Sequence, residues 1–308
     1  MTLTPPGGVL PVLQTPFDDS GSIDETILRR EIDWAFECGV DGVTVAMVSE
    51  ILRLDLRERR DLAALVCTAV DGRGPVIVSV GAESTKTAVA LTEQAQDAGA
   101  SAVMAIPPLS AQPASDELER YYDALVAATP LPVVVQDASS YVGRAMSIEL
   151  QASLHSRHRG RVAFKPETQP LGPRLSALHE ATGGQVSVYD GSGGIALVDT
   201  FRRGIIGTMP STDLCWAIVR IWEHLQAGNY EPALRLSLPL IALVSMQTSL
   251  DSYIAIEKYL LLQQQVFANT SCRGPVDFHL DDQTALQLDA YFSLLKAASD
   301  EVGPALNG

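Results

Sequence analysis

Arg161-Val162-Ala163-Phe164-Lys165-Pro166-Glu167 is the stretch on which the reading of this chain turns. An apolar run closes on a lysine, and a carboxylate follows two positions later. Side chains alternate between the faces of a strand with period two, so Lys165 and Glu167 project to the same side. Taken alone, the pair has two readings: a solvated ion pair ending a surface strand, or a lysine nucleophile beside its acid/base partner. The surrounding sequence decides between them.

Seven further short runs rich in β-branched residues lie at 9–13, 42–46, 76–80, 102–106, 132–136, 185–189 and 204–208, and with 161–165 they make eight. Segments of helical spacing separate them, several with N-terminal start signals. Asp24 leads a helix toward Cys38, Asp55 one toward Val70, Ser84 one toward Ala98, Ser115 one toward Ala128 and Ser147 one toward His155. Gly39, Gly72 and Gly99 stand where such helices stop. Strands alternating with helices form parallel βαβ units, and eight of them predict closure into a (β/α)8 TIM barrel of the α/β class. The competing open, doubly wound sheet would carry a Gly-x-Gly-x-x-Gly turn after the first strand, and this chain has none there.

Residues 212–227 read as the eighth barrel helix. Beyond them strand signals cease, and helices are predicted at 230–247, 251–268 and 281–299, with Pro239 expected to kink or split the first. The expected organisation is a barrel over residues 1–228 that carries the site, and a helical extension over 229–308 packed on it. A core of that size is within reach of 308 residues, 46% of them hydrophobic.

No apolar stretch approaches the ~20 residues that span a bilayer. The start, Met1-Thr2-Leu3-Thr4-Pro5-Pro6, lacks a charged region leading into an apolar one, so a cytoplasmic protein without membrane attachment is expected. A formal net charge of -15 with no clustered Lys and Arg argues against nucleic acid as a partner. It also works against long-range steering of an anionic substrate, so local donors must hold any acid that binds. Cys38, Cys67, Cys215 and Cys272 are far apart and read as free thiols; no metal and no cofactor is expected.

In such a barrel the chemistry belongs at the carboxyl ends of the strands. There the chain places Thr15-Pro16-Phe17, Ser49-Glu50, Gln136-Asp137, Lys165 with Glu167, Asp190-Gly191 and Thr208-Met209-Pro210, with Lys165 the only lysine among them. Backbone N–H groups around Val48 and Ser49 would meet a substrate carboxylate, because a helix start favours an anion. The Ser49 hydroxyl adds a bond, caps the helix, or does both. Gln136 either binds substrate hydroxyls or satisfies loop backbone, and Thr208 is a further substrate-binding candidate. Asp190-Gly191 reads as a turn and Glu50 as an orienting group for its loop. His155, His158 and His179 lie away from the strand ends and read as structural or surface residues.

Gly8-Val9 with Thr15-Pro16-Phe17, Gly39-Val40-Asp41-Gly42 leading to Ser49-Glu50, Leu54 with Glu58-Arg59, Gly81-Ala82 with Ser84-Thr85, Pro107-Pro108, Phe164-Lys165 and Gly207 follow one another in the order of a known family. From about residue 8 to beyond residue 210 the chain resembles the dihydrodipicolinate synthase/N-acetylneuraminate lyase family. The resemblance implies a class I, Schiff-base enzyme acting on a small 2-oxo acid, with Lys165 at the imine-forming position, and a homodimer or homotetramer. The departures are informative. Where the family usually has Gly-Thr-Thr-Gly-Glu, this chain has Ala46-Met47-Val48-Ser49-Glu50. Where it usually has Tyr-Asn at strand five, this chain has Gln136-Asp137-Ala138, so the usual proton-shuttling phenol is missing there. Leu109 and Ser110 stand where tyrosines are common.

With Phe164-Lys165-Pro166-Glu167-Thr168 and Gly207-Thr208-Met209-Pro210, the pattern is most similar to the 2-keto-3-deoxy-L-arabonate dehydratase branch. There the carboxylate two residues after the lysine is the general acid/base, a role that would fall on Glu167. Lys165 would attack the 2-oxo carbon, and the iminium would acidify C3. Glu167 would remove a C3 proton and protonate the departing C4 hydroxyl. Two other readings stay open: a pyruvate-class aldolase that uses the same imine to break C3–C4, and a non-catalytic 2-oxo-acid binder that has kept the barrel.

Overall fold

The computed structural model describes residues 4–111, 113–139 and 143–304. The strands are β1 Gly8–Val9, β2 Val43–Val45, β3 Val76–Ser79, β4 Ala102–Ala105, β5 Val133–Asp137, β6 Val162–Pro166, β7 Ser187–Asp190 and β8 Gly207–Thr208. The barrel helices are α1 Glu25–Glu37, α2 Leu56–Val70, α3 Thr85–Asp97, α4 Ser115–Ala128, α5 Ile148–Arg157, α6 Leu171–Ala181, α7 Leu197–Arg202 and α8 Cys215–Gln226. Three more follow: α9 Tyr230–Val244, α10 Leu250–Gln263 and α11 Asp282–Val302.

Every strand pair is parallel, in the order β1-β8-β7-β6-β5-β4-β3-β2. A parallel bridge between Val12 and Thr44 closes the ring, with Leu13 N donating to Thr44 O at 2.9 Å and Thr44 N to Pro11 O at 2.8 Å. β1 is shorter than its apolar run because Pro11 has no N–H to continue the ladder. Its neighbours keep the pairing alive: Leu10 N donates to Thr208 O at 2.9 Å and Val12 N to Pro210 O at 2.7 Å.

The period of two sorts side chains between two cores. Leu10, Val12, Ala46, Ile77, Met104, Val134, Ala163, Tyr189 and Met209 pack together inside the barrel. Val133, Val135, Val162, Phe164 and Val188 face outward and pack with helix residues such as Leu62, Leu125, Leu154 and Ile218. Ala163 points inward, so Lys165 does too, and the register pairs it with Gln136.

Side-chain caps fix the helix starts predicted at Asp24, Asp55, Ser84 and Ser147; in the second, Asp55 and Glu58 each accept the other's backbone N–H. α4 differs, since Ser115 is its first helical residue and Ala114 occupies the cap without a side-chain bond. α9 runs unbroken through Pro239, so the helix is not split there, and it is held between α8 and α11. α10 stops at Gln263, short of the expected end, and Gln265 takes a φ of 61° that lets Val266 and Phe267 pack on Ile27 and Leu261. Among the described residues no helix is long and apolar enough to cross a membrane.

Candidate active site

Lys165 stands at the carboxyl end of β6, 4% exposed, and Glu167 follows at 2%. Lys165 Nζ lies 3.1 Å from Glu167 Oε1. Pro166 stiffens the single residue between them. Glu167 N donates to Asp137 O at 3.0 Å, and Thr168 Oγ1 to Asp137 Oδ2 at 2.7 Å, so the end of β5 holds the backbone that carries the carboxylate and the residue after it. Asp137 also accepts Met146 N at 3.0 Å and Ser139 N at 3.2 Å, which fixes the loop after β5.

Gln136 Nε2 donates to Glu167 Oε2 at 2.9 Å, and the amide's Oε1 has no partner among the described residues. The carboxylate demands a donor, and that demand sets which way the amide faces. Gly191, just past β7, lies against the pair: a Cβ there would sit 2.7 Å from Glu167 Oε1 and 3.1 Å from Lys165 Cε.

Beneath the pair Asp190 is fully buried, accepting Thr200 Oγ1 at 2.8 Å and Thr208 Oγ1 at 3.3 Å. Burial pushes its carboxyl up to about 7; the two hydroxyls and the positive charge of Lys165 pull the other way, and Glu167 reinforces the rise.

A cavity of about 430 Å³ opens over these groups. Lys165, Glu167, Gln136 and Val48 line it, which brings together four of the six site residues expected from the sequence. Ser49 and Thr208 do not line it. The Ser49 hydroxyl donates to Leu13 O and accepts Ala46 N at 3.0 Å, and the Ser49 N–H donates to Ala46 O at 3.0 Å. It holds the 3-10 turn Met47–Ser49, the structural role that the sequence offered for it beside a substrate contact. Thr208 is likewise committed to Asp190. Met47 and Val48 N–H remain as the first donors of that turn, where helical bonding leaves backbone N–H groups unpaired.

Glu50 ends the turn at a φ of 57°, a conformation that requires outside support in a residue with a Cβ. Its carboxylate is ion-paired with Lys258 of α10 and accepts Arg273 N at 2.7 Å. His158 binds Asp123 at 2.6 Å on the outer surface, far from the strand ends, and the four cysteines are free thiols. Among the described residues no group of three or more His, Cys, Asp or Glu is arranged to hold a metal ion.

The pattern of strand ends missed what α10 brings. Leu250, Tyr253 and Glu257 line the cavity, so the extension builds part of its wall and supplies a phenol although β5 has none. A signal was present: Glu257-Lys258 interrupts the otherwise apolar Ile254-Ala255-Ile256 and Tyr259-Leu260-Leu261, and adjacent charges in such a helix require partners inside. Gly191 carried no comparable signal, since Asp-Gly pairs are common in turns.

A model of the dihydrodipicolinate synthetase family matches residues 5–293. The chain belongs to that family. The 4-hydroxy-tetrahydrodipicolinate synthase of Pelobacter propionicus is 30% identical over 237 residues, 76% of this chain and 80% of that one. The L-2-keto-3-deoxyarabonate dehydratase of Azospirillum brasilense is 28% identical over 285 residues, 91% and 92% of the two chains. In fold, the 4-hydroxy-tetrahydrodipicolinate synthase of Methylacidiphilum fumariolicum superposes with a TM-score of 0.87 at 23% identity, covering 96% of this chain and 98% of that one. The dihydrodipicolinate synthetase family consists of lyases, aldolases and dehydratases among them, and this chain is a lyase of that family.

Proposed function

We propose that this lyase dehydrates a 2-keto-3-deoxy sugar acid, such as 2-keto-3-deoxy-L-arabonate, through an imine on Lys165. The observation that carries the reading is the 3.1 Å approach of Glu167 Oε1 to Lys165 Nζ inside a buried cavity. An amine attacks a carbonyl only when neutral, and Glu167, 3.1 Å away, is placed to take the ammonium proton. Attack on the 2-oxo carbon expels water and leaves an iminium, which draws electrons from C3. Glu167 takes a C3 proton, and the enamine pushes out the C4 hydroxyl, which leaves as water on gaining a proton. Loss of a C5 proton with protonation at C3 turns the C3–C4 alkene into a C4–C5 enol, protonation at C4 with loss of the enol proton makes the C5 aldehyde, and hydrolysis of the imine frees the lysine. For 2-keto-3-deoxy-L-arabonate the product expected is 2,5-dioxopentanoate.

The other contacts agree with this use. The unpartnered Gln136 Oε1 suits a sugar hydroxyl, and the N–H groups of Met47 and Val48 suit the substrate carboxylate. The similarity to the dehydratase of Azospirillum brasilense extends over most of both chains.

The test is a panel of 2-oxo-3-deoxy sugar acids read by mass spectrometry, with borohydride trapping alongside. Loss of water without pyruvate supports the reading, and pyruvate release would make the chain an aldolase. Absence of any borohydride-stable adduct on Lys165 would make it a binder. Lys165→Ala is expected to abolish the adduct, whereas Glu167→Gln keeps it and lowers turnover by ~10²-fold or more.

A further inference from the structure

Glu257 of α10 is 1% exposed and shares the cavity wall with Lys165 and Glu167. Its Oε2 accepts the side-chain amide of Gln14, a residue at the mouth of the barrel just after β1. The backbone N–H of Gln14 donates at 2.8 Å to Glu31 Oε1 of α1, whose Oε2 has no partner among the described residues. Asp213, on the loop leading into α8, accepts Ser211 Oγ on one oxygen and leaves Oδ2 equally unpartnered. Glu31 and Asp213 are fully buried.

Three carboxyl groups from three elements therefore share one water-excluded region. The cations that act on it are Lys165, already beside Glu167, and Lys258, already bound to Glu50 and to Ser271 O. Carboxylates without cations of their own cannot all ionise there. Burial raises Asp213 to about 7, and burial aided by repulsion from neighbouring carboxyls raises Glu31 to about 8 and Glu257 well above the ordinary carboxylate range. Glu31 Oε2 and Asp213 Oδ2 have no hydrogen-bond partner among the described residues, so neither carboxylate has a full set of donors to stabilise its charge. The two carboxyls on the cavity wall thus have opposite environments: Glu167 faces an amine, and Glu257 faces other acids.

We infer that Glu257 is the acid that protonates the departing C4 hydroxyl, while Glu167 serves as the base at C3. The inference rests on the dehydration reading and deepens it. Glu167 gains the C3 proton, the C3–H pair becomes the C3–C4 double bond, and the C4–O bond breaks as oxygen takes the Glu257 proton and leaves as water. Glu257 ends as a carboxylate and Glu167 as an acid, so the transfer of one proton from Glu167 to Glu257 restores both. Gln14 supplies a donor to the transient carboxylate, and Glu31, Asp213 and Ser211 surround it. In the groups that face it from every side, only the lysines carry positive charge.

Glu257→Gln keeps the shape and the neutral state of the acid but cannot give a proton. The variant is expected to form the borohydride adduct with pyruvate, and to exchange the methyl protons of pyruvate in D2O, within about twofold of the parent protein. Dehydration of 2-keto-3-deoxy-L-arabonate is expected to fall ~10²-fold or more. Elimination from the 4-chloro-4-deoxy analogue, whose leaving chloride needs no proton, is expected to survive. Dehydration unaffected by the substitution, or an equal fall in all of these reactions, would overturn the assignment while leaving the imine chemistry standing. A parent protein that forms no adduct would overturn the dehydration reading itself. Gln14→Leu is the second variant: without that donor the basic limb of the dehydration profile is expected to move to higher pH with the exchange profile unmoved, and a fixed limb counts against Glu257.

Discussion

Gly191 shows how closely the reacting pair is fitted. It has an ordinary negative φ, so no turn geometry demands glycine; close approach does. A Cβ would lie 2.7 Å from Glu167 Oε1 and 2.8 Å from its Cγ, distances that displace the carboxylate. Gly191→Ala is therefore expected to lower kcat by ~10-fold or more through misplacement of the base, with an overpacking loss of only ~1–3 kcal/mol in a thermal melt. Turnover equal to the parent's would refute the fit. Ser49 behaves in the opposite way. With its hydroxyl tied to Leu13 O and Ala46 N, Ser49→Ala is expected to lose ~1–2 kcal/mol of stability and leave KM nearly unchanged. A tenfold rise in KM at unchanged stability would return Ser49 to the substrate. The sequence pointed to Lys165 and Glu167 because their spacing is local and the period of two carries chemistry. It was silent on Gly191, and two-sided on Ser49, because those roles depend on neighbours across the barrel.

The eight strands were readable as apolar runs because a barrel strand is buried on both faces. α6 and α7 were not anticipated: neither has a side-chain cap, and α7 spans six residues. α10 was predicted as a helix, but its placement over the barrel mouth was not, since an ion pair between Glu50 and Lys258 joins residues 208 apart in sequence. Both side chains are fully buried, and the carboxylate also holds Arg273 N. Removing one partner leaves the other charge buried without compensation, so Glu50→Gln is expected to cost about 3–5 kcal/mol. Replacing the pair together, Glu50→Gln with Lys258→Met, is expected to recover much of that loss. The check is a double-mutant cycle by chemical denaturation. Additive losses would mean that the two side chains act separately. Because α10 also carries Tyr253 and Glu257 to the cavity, the single variant should lose activity before it loses fold.

The charge of -15 said that the molecule is acidic but not where its acids sit. Most lie on the surface, where Asp18, Asp55 and Asp281 are held below the ordinary carboxylate value by hydrogen bonds. Like Glu257, three buried acids, Asp190, Asp213 and Glu31, are shifted the other way, and they gather at the mouth of the barrel, where strand ends, α1 and α10 converge. Burial raises them to about 7, about 7 and about 8. Each folded value lies above its unfolded one, so between the two the native state holds a proton that the unfolded chain has released. Stability must then fall as pH rises from about 4.5 through about pH 8. Each group contributes a slope of about 1.4 kcal/mol per pH unit within its window. The surface carboxylates act in the opposite sense but below that window, where they are being protonated. The melting temperature is therefore expected to be higher near about pH 5.5 than near about pH 8, and Glu31→Gln with Asp213→Asn should flatten the difference. A melting temperature that rises across this interval would mean that the carboxyls at the barrel mouth are ionised in the folded protein, and the acid at Glu257 would lose its physical basis with them.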